Sequence, residues 1–440
     1  MKVFALFVVV LFCGASSAAP ADRKEAWGYV DVRKDAHMFW WLYYTDQTTN
    51  YASYPLVIWL QGGPGASSTG HGNFLEIGPL DEYLRPRNST WLSKANLLFI
   101  DNPVGTGFSY VTNKSALATT NKQIADDLVT CLTSILDTVP EFQKSALYIF
   151  GESYGGKMTV DFALALSKAI KSKTINVNFK GIALGDPWIS PIDSVFTWGP
   201  YLYATSLLDK VELQSVKAHA YEVKQTLAAG QFKNATDRLI QIQGLIANFT
   251  NGVDFFNILK KEDPLPNESV NTLPKNHRTY KFRRSVDRQH GDGDVLSDLM
   301  NGKIRQKLND IPQNVTWGGQ SSEVFKALSG DFMKPVVSSV SELLSNETYI
   351  DVNVYNGQLD LMVDTLGTLA WIEKLNWPGN KSFMAAPKKP LTFPNDHSGG
   401  FVKTFKKFSF FWILKAGHVV PSDAPESALK ILDMILKKNK

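Results

Sequence analysis

Cysteine is nearly absent from this chain, which has two in 440 residues. Cys13 lies in an N-terminal stretch that reads as a leader, so a mature chain keeps Cys131 alone and makes no intramolecular disulfide. Stability then has to come from a core. A hydrophobic content of 44%, with 11 tryptophans and 26 phenylalanines, supplies the material for one. Cys131 sits in an apolar helical run with Leu128, Val129, Leu132 and Ile135 and reads as a small buried hydrophobe. An excess of one charge is also missing. The net charge is +4, and no basic stripe is interleaved with aromatics, so nucleic-acid binding has no support. Past the leader no run of about 18 apolar residues occurs, and no membrane-spanning helix is expected. Internal repeats and low-complexity tracts are lacking as well.

The first 18 residues read as a sorting signal: Lys2 gives a positive start, Val3 to Phe12 an apolar stretch, and Ser16-Ser17-Ala18 a small-residue cleavage site. An ordinary first strand fits less well, because the charged chain begins only at Asp22. Asn-x-Ser/Thr sites at Asn88, Asn113, Asn234, Asn248, Asn267, Asn314, Asn346 and Asn380 agree with the same route, although each alone is a common chance match. The expectation is a glycoprotein of the secretory pathway, secreted or lysosomal.

Residues 146–157 organise the chain. Ala146 to Phe150 is a short apolar run that reads as a buried strand. Gly151-Glu152-Ser153-Tyr154-Gly155 follows, then a helical pattern from about Lys157 to Ile170. Strand, sharp turn and helix form the context in which G-x-S-x-G is a nucleophile elbow. Alone, the motif is equally a serine in a plain glycine turn. The elbow strains the backbone at its serine, so the residues two places away must be small, and Gly151 and Gly155 are.

The rest repeats a rhythm of strand, glycine-rich loop and helix, expected of a mostly parallel α/β sheet. Strands are expected at 26–32, 38–44, 55–60, 96–100, 181–184, 350–355 and 405–414. Helices are expected at 123–136, 368–375 and 425–436, with a Pro/Gly/Lys loop reaching about Gly400. Loops after the strand ends carry Gln61-Gly62-Gly63, Asp101-Asn102-Pro103, Asp360 and His418. From about 190 to 329 the rhythm stops and the chain becomes polar and helical, which reads as a cap inserted into a core of 19–189 and 330–440. Within the cap, Lys281-Phe282-Arg283-Arg284 to Gly291-Asp292-Gly293-Asp294 reads as a loop, and Arg283-Arg284 as either an exposed basic pair or a processing site.

A serine hydroxyl needs a base within hydrogen-bond reach, and the base needs an orienting carboxylate. On sheets of this kind the chain order is Ser, Asp, His. Asp360 and His418 occupy strand-end positions in that order. Taken singly, they read equally well as a helix cap and a loop histidine. The oxyanion needs backbone donors, and Tyr154 and Gly63 are the candidates.

The segments Trp59-Leu60-Gln61-Gly62-Gly63-Pro64-Gly65-Ala66-Ser67-Ser68, Asp101-Asn102-Pro103-Val104-Gly105-Thr106-Gly107-Phe108-Ser109, Gly151-Glu152-Ser153-Tyr154-Gly155-Gly156 and Ala416-Gly417-His418-Val419-Val420-Pro421 resemble, in this order, the serine carboxypeptidases. Gly72-Asn73-Phe74 ahead of Glu76-Ile77-Gly78-Pro79, and Asn356-Gly357-Gln358-Leu359-Asp360-Leu361, bring the chain nearest to the retinoid-inducible branch of that family. The resemblance implies an α/β-hydrolase fold, a mostly parallel mixed sheet flanked by helices with a helical cap, and no metal or cofactor. It implies Ser153 as nucleophile, His418 as base and acid, Asp360 as its orienter, and Gly63 and Tyr154 as oxyanion donors. It also implies that Gln61, Gly62 and Glu152, with Glu76 paired to Glu152, hold a peptide's terminal carboxylate. Gln61 stands where much of the family has asparagine, Ala66 where many members have cysteine, and Asn102 where glutamine is common. The implied activity is release of C-terminal residues from peptides with a free C-terminus, favoured at acidic pH. An esterase or acyltransferase using the same triad, or a non-catalytic glycosylated binding protein, is the alternative. The sequence does not specify an oligomeric state.

Overall fold

The computed structural model describes residues 23–261, 293–347, 349–393 and 398–437. The chain opens with an antiparallel hairpin, β1 (Glu25–Arg33) and β2 (Ala36–Tyr43). Six parallel neighbours form the centre: β4 (Asn96–Ile100), β3 (Leu56–Leu60), β6 (Ala146–Glu152), β7 (Asn178–Gly185), β8 (Asp351–Gly357) and β11 (Phe408–Ile413). Two antiparallel strands, β10 (Ser398–Phe405) and β9 (Lys389–Thr392), finish the far edge, and the short β5 (Tyr110–Val111) pairs with β2. The result is one mixed sheet of 11 strands, ten in the order β1-β2-β4-β3-β6-β7-β8-β11-β10-β9 and β5 off that path beside β2.

Near-continuous apolar runs make the central strands because both faces of the sheet are covered. Alternate residues then serve two cores. Leu56, Ile58 and Leu60 of β3 and Leu147 and Ile149 of β6 join one, and Val57, Trp59, Tyr148 and Phe150 join the other. On the first face lie α1 (Asn121–Thr138), capped by the Thr120 side chain, and α2 (Tyr154–Lys171). Cys131 is buried there, as its apolar neighbours foretold. The helix Pro425–Lys437 packs its Ile431, Leu432 and Ile435 on the other face.

After β7 the chain leaves the sheet for α3 (Pro191–Ala204), α4 (Lys210–Ala228) and α5 (Phe232–Phe249). It returns through Gly293–Leu299, Ser322–Leu328 and Val337–Asn346 to β8. Val216, Val223, Leu239 and Ile242 of α4 and α5 belong to the same buried cluster as the sheet's first face. Residues 281–292, including Arg283-Arg284, lie outside the described residues.

Two expectations along the chain need correction. The stretch after Leu375, read as a loop to Gly400, holds a short helix (Asn380–Ala385), β9 and the start of β10. The strand read as 405–414 is two strands. Phe405 ends β10, Lys406 turns with a φ of 52°, and β11 begins at Phe408. The lysines and glycines that signalled a loop are tolerated because β9 is an edge strand, exposed at Lys389, Pro390 and Thr392.

Candidate active site

All the central strands point their C-terminal ends to one side, and the candidate residues follow those ends. At the end of β6, Ser153 adopts φ 60° and ψ −125°, a strained conformation for a residue with a side chain. The surroundings enforce it. The Ser153 N–H donates to Gly185 O (2.9 Å), and its carbonyl accepts from Gly156 N (3.0 Å) and Trp188 N (2.9 Å). A Cβ at Gly155 would stand 2.2 Å from Leu60 O, and one at Gly62 would stand 2.7 Å from Ser153 Cβ. Glycine at these positions lets β3, the turn and α2 close on one another. Starting at Tyr154, α2 aims its N-terminal end at the turn.

Asp360 and His418 meet two strands away. His418 Nδ1 donates to Asp360 Oδ2 at 2.7 Å, and both side chains are buried. Asp360 Oδ1 accepts from Val363 N (3.1 Å). The two loops lock together through Leu359 N to Ala416 O (2.7 Å), with Gly357 against Gly417 at a distance no Cβ would allow. The His418 backbone N–H donates to Phe256 O (2.7 Å), and the Phe256 ring tilts over the imidazole at 4.7 Å. His418 Nε2 is buried and, among the described residues, has no hydrogen-bond partner. It lines the same cavity as Ser153, so the two meet there without a formed Oγ–Nε2 bond, a common state in ligand-free sites.

The same cavity is lined by Gln61, Gly62, Gly63 and Glu152. Gly63 has φ +106°, a conformation suited to glycine. Gln320 braces that turn by donating from Nε2 to Pro64 O (2.8 Å). Among the described residues, no backbone carbonyl outside the helix takes up the Gly63 or Tyr154 N–H. The Gln61 amide is fixed at both ends: Trp59 Nε1 donates to its Oε1 (2.7 Å), and its Nε2 donates to Glu152 Oε1 (2.8 Å). Among the described residues, Glu152 Oε2 and both Glu76 oxygens find no hydrogen-bond donor. The two buried carboxyls are neighbours, and a proton kept by one relieves the repulsion between them. Burial pushes Glu76 up to about 7. Burial, and then the charge of Glu76, pushes Glu152 well above the usual carboxylate range.

Several residues that matter here carried no signal of their own in the sequence. Trp188, Phe256, Phe332, Met362 and Val419 form the apolar walls. His71 also lines the cavity, and burial brings it down to about 4. Lys157 is buried with Asp331 (2.9 Å), and Tyr154 Oη donates to the same carboxylate (3.1 Å), which ties the start of α2 to the segment before β8. Asp101 is absent from the cavity lining. It clasps the 67–69 turn, accepting from Ser67 Oγ (2.7 Å), Thr69 N (3.0 Å), Thr69 Oγ1 (2.8 Å) and Phe108 N (2.8 Å). Asp186, Asp360 and His418 bring ligand-type atoms within 4.8 Å of one another. His418 Nδ1 is bound to Asp360 Oδ2, and Asp186 Oδ1 accepts from Gly357 N and Asn356 Nδ2.

Of the glycosylation candidates, Asn88, Asn113, Asn234, Asn248, Asn314 and Asn346 are exposed, and Asn267 lies outside the described residues. Asn380 differs: its Nδ2 donates to Glu373 O (3.0 Å) and Leu375 O (2.8 Å).

Comparison with known proteins gives a consistent result. The family described as serine carboxypeptidase matches residues 16–438. The chain is 50% identical over 421 residues to the retinoid-inducible serine carboxypeptidase of Mus musculus, covering 95% of this chain and 92% of the relative. It is 42% identical to serine carboxypeptidase-like 51 of Arabidopsis thaliana, covering 95% and 93%. Among solved structures, Kex1(delta)p, a prohormone-processing carboxypeptidase from Saccharomyces cerevisiae, superposes with a TM-score of 0.80 at 22% identity, covering 94% of this chain and 92% of that one, which shows a shared α/β-hydrolase fold.

Proposed function

This chain belongs to the serine carboxypeptidase family and is a serine-type hydrolase of peptides; from that premise we propose that it works through Ser153, His418 and Asp360, best at acidic pH. Ser153 Oγ attacks the last peptide carbonyl while His418 Nε2 takes its proton. The ring, held by Asp360, then gives that proton to the leaving amine of the terminal residue. Water deacylates Ser153 by the same path in reverse. The N–H groups of Gly63 and Tyr154 receive the oxyanion, each worth roughly 3–4 kcal/mol of barrier by analogy with other donors of this kind.

The observation that carries this reading is the orphaned, buried Nε2 of His418, facing the cavity that Ser153 lines while its other nitrogen is bound to Asp360. A base without a partner in a closed site has its partner in the reaction. The clamp of Gln61, Gly62 and Glu152, with Glu76 behind, supports C-terminal recognition, because a protonated Glu152 donates to a carboxylate that an ionised one repels. The apolar walls favour peptides with apolar residues beside the scissile bond.

The test is mass spectrometry of products from peptides ending in a free carboxylate or in an amide. Loss of single C-terminal residues from the first set, reduced on the second and abolished in Ser153→Ala, is expected. Equal cleavage of both sets contradicts the clamp. Passage through the secretory route, with lysosomal or extracellular residence, fits the exposed sequons. Among the described residues no helix is long and apolar enough to cross a membrane.

A further inference from the structure

Asp186 follows β7 and is fully buried, yet the reaction above makes no use of it. Its Oδ1 accepts from Gly357 N (2.7 Å) and Asn356 Nδ2 (3.0 Å). Asn356 is itself held, donating to Val363 O (2.7 Å) and accepting from Thr368 Oγ1 (2.6 Å). The Asp186 backbone N–H donates to Tyr355 O (2.8 Å). The remaining oxygen, Oδ2, has no donor among the described residues. What does lie close is the buried carboxyl of Asp360: ligand-type atoms of Asp186, Asp360 and His418 all fall within 4.8 Å of one another. Two ionised carboxylates at that separation inside a protein repel strongly, and the one with the orphaned oxygen is the one that keeps a proton.

We propose that Asp186 is a positioning residue that carries a proton on Oδ2 and donates it to the Asp360 carboxylate, holding that carboxylate under His418 Nδ1 and leaving the imidazole available as a base at acidic pH. This rests on the triad reading and extends it by one residue. The division of labour follows from the donors. Asp360 already accepts from Val363 N and His418 Nδ1, with the proposed Asp186 donor as a third, and remains the anion. Asp186 takes two at Oδ1 and gives one at Oδ2. An ionised Asp186 would add a second negative charge beside the imidazole. That charge would favour the doubly protonated ring and remove the base as the pH falls.

The other groups bearing on the pair strengthen this assignment. Asp423 faces Asp186 from the segment after His418, Glu152 from the end of β6, and Tyr355 from β8. Asp364 and Tyr201 face Asp360. Lys260, the nearby cation, is bound to Asp423 at 3.2 Å. Burial, and then the charge of Asp360, keeps the Asp186 carboxyl well above its ordinary range. Apart from His418, and Lys260 engaged by Asp423, none of these groups is cationic.

Two variants test the inference through the acid limb of the kcat/KM profile. Asp186→Asn reproduces the pattern, its carbonyl oxygen accepting at Oδ1 and its amide donating to Asp360. It should hold the acid limb within about 0.5 pH unit and kcat within about threefold. Asp186→Leu fills the space without a donor. It should lower kcat roughly tenfold to a hundredfold at near-constant KM and move the acid limb up by about one unit. Should Asp186→Asn instead move the limb down by about a unit or more, Asp186 was ionised and the inference is wrong. That measurement decides the matter even if the leucine variant does not fold. A folded leucine variant with an unmoved limb and full kcat overturns the inference as well. Reaction of wild-type Ser153 with a fluorophosphonate is the control that separates the two readings. If it fails, the triad reading falls and this one with it; if it succeeds, the Asp186 variants decide this inference alone.

Discussion

At the scale of single residues, the site is built on acids that share protons. Glu152 is covered by protein, loses solvation, and faces a second carboxyl. Its protonated form is therefore the resting form below the raised value, and peptide binding weakens as the pH climbs through it. KM for a peptide acid should therefore rise as the pH climbs above the ordinary carboxylate range and through that raised value. Glu152→Gln, a permanent donor, should flatten that rise, and steady-state kinetics across this range measure it. A Glu152→Gln enzyme whose KM climbs as the wild type's does would contradict the clamp. Much of this chemistry is legible in the chain itself. Glu152 sits beside the serine, and Glu76 precedes Ile-Gly-Pro in a segment that carries family resemblance. Asp186 is not legible in the same way. A Gly-Asp-Pro after a strand looks like any turn, and only the fold brings it to Asp360, 174 positions later. The cavity walls are hidden for the same reason, since Trp188, Phe332 and Met362 come from three separate segments.

At the scale of elements, the elbow depends on close approach between β3, β6 and α2. Gly155→Ala puts a Cβ against the Leu60 carbonyl, where backbone cannot yield cheaply. It should destabilise the protein by about 1–3 kcal/mol and reduce reactivity of Ser153, read from thermal unfolding and probe labelling. The buried Lys157–Asp331 pair holds the same helix start from the other side. Asp331→Asn leaves a buried ammonium without its anion and should cost roughly 3–5 kcal/mol, checked by denaturant unfolding. The elbow strand, its helix and the strands around them were readable because apolar runs and glycine turns coincide there. The stretch from 376 to 404 was not. Its two strands finish the sheet and are partly exposed, so their composition resembles a loop, and the pairing of β10 with β11 and of β9 with β10, rather than local propensity, makes them strands.

At the scale of the whole molecule, buried acids make stability depend on pH in an unusual sense. Glu76 and Asp364 both rise to about 7 on burial, and Glu152, Asp186 and Asp101 are raised as well. In the unfolded chain the same groups ionise near their ordinary values of about 4. Between those limits the folded state binds more protons, so stability is fully present below about pH 4 for these groups and is lost as the pH rises toward 7 and beyond. The melting temperature should therefore be higher at pH 5 than at pH 8. Glu76→Gln should narrow the gap, gaining on the order of 1–3 kcal/mol relative to wild type at pH 8 and little at pH 5. Glycan mapping should find Asn380 unmodified in protein made through the secretory route, since its amide nitrogen is bound to two carbonyls, while exposed sites such as Asn88 and Asn234 are open to modification.

The central claim is that strands from distant parts of the chain assemble an activated alcohol at Ser153. It is tested most directly by treating folded protein with a fluorophosphonate at mildly acidic pH and locating the adduct by peptide mass spectrometry. The account predicts one adduct, on Ser153, lost in His418→Ala. Folded wild-type protein that stays unlabelled, or labels equally well without His418, would contradict it.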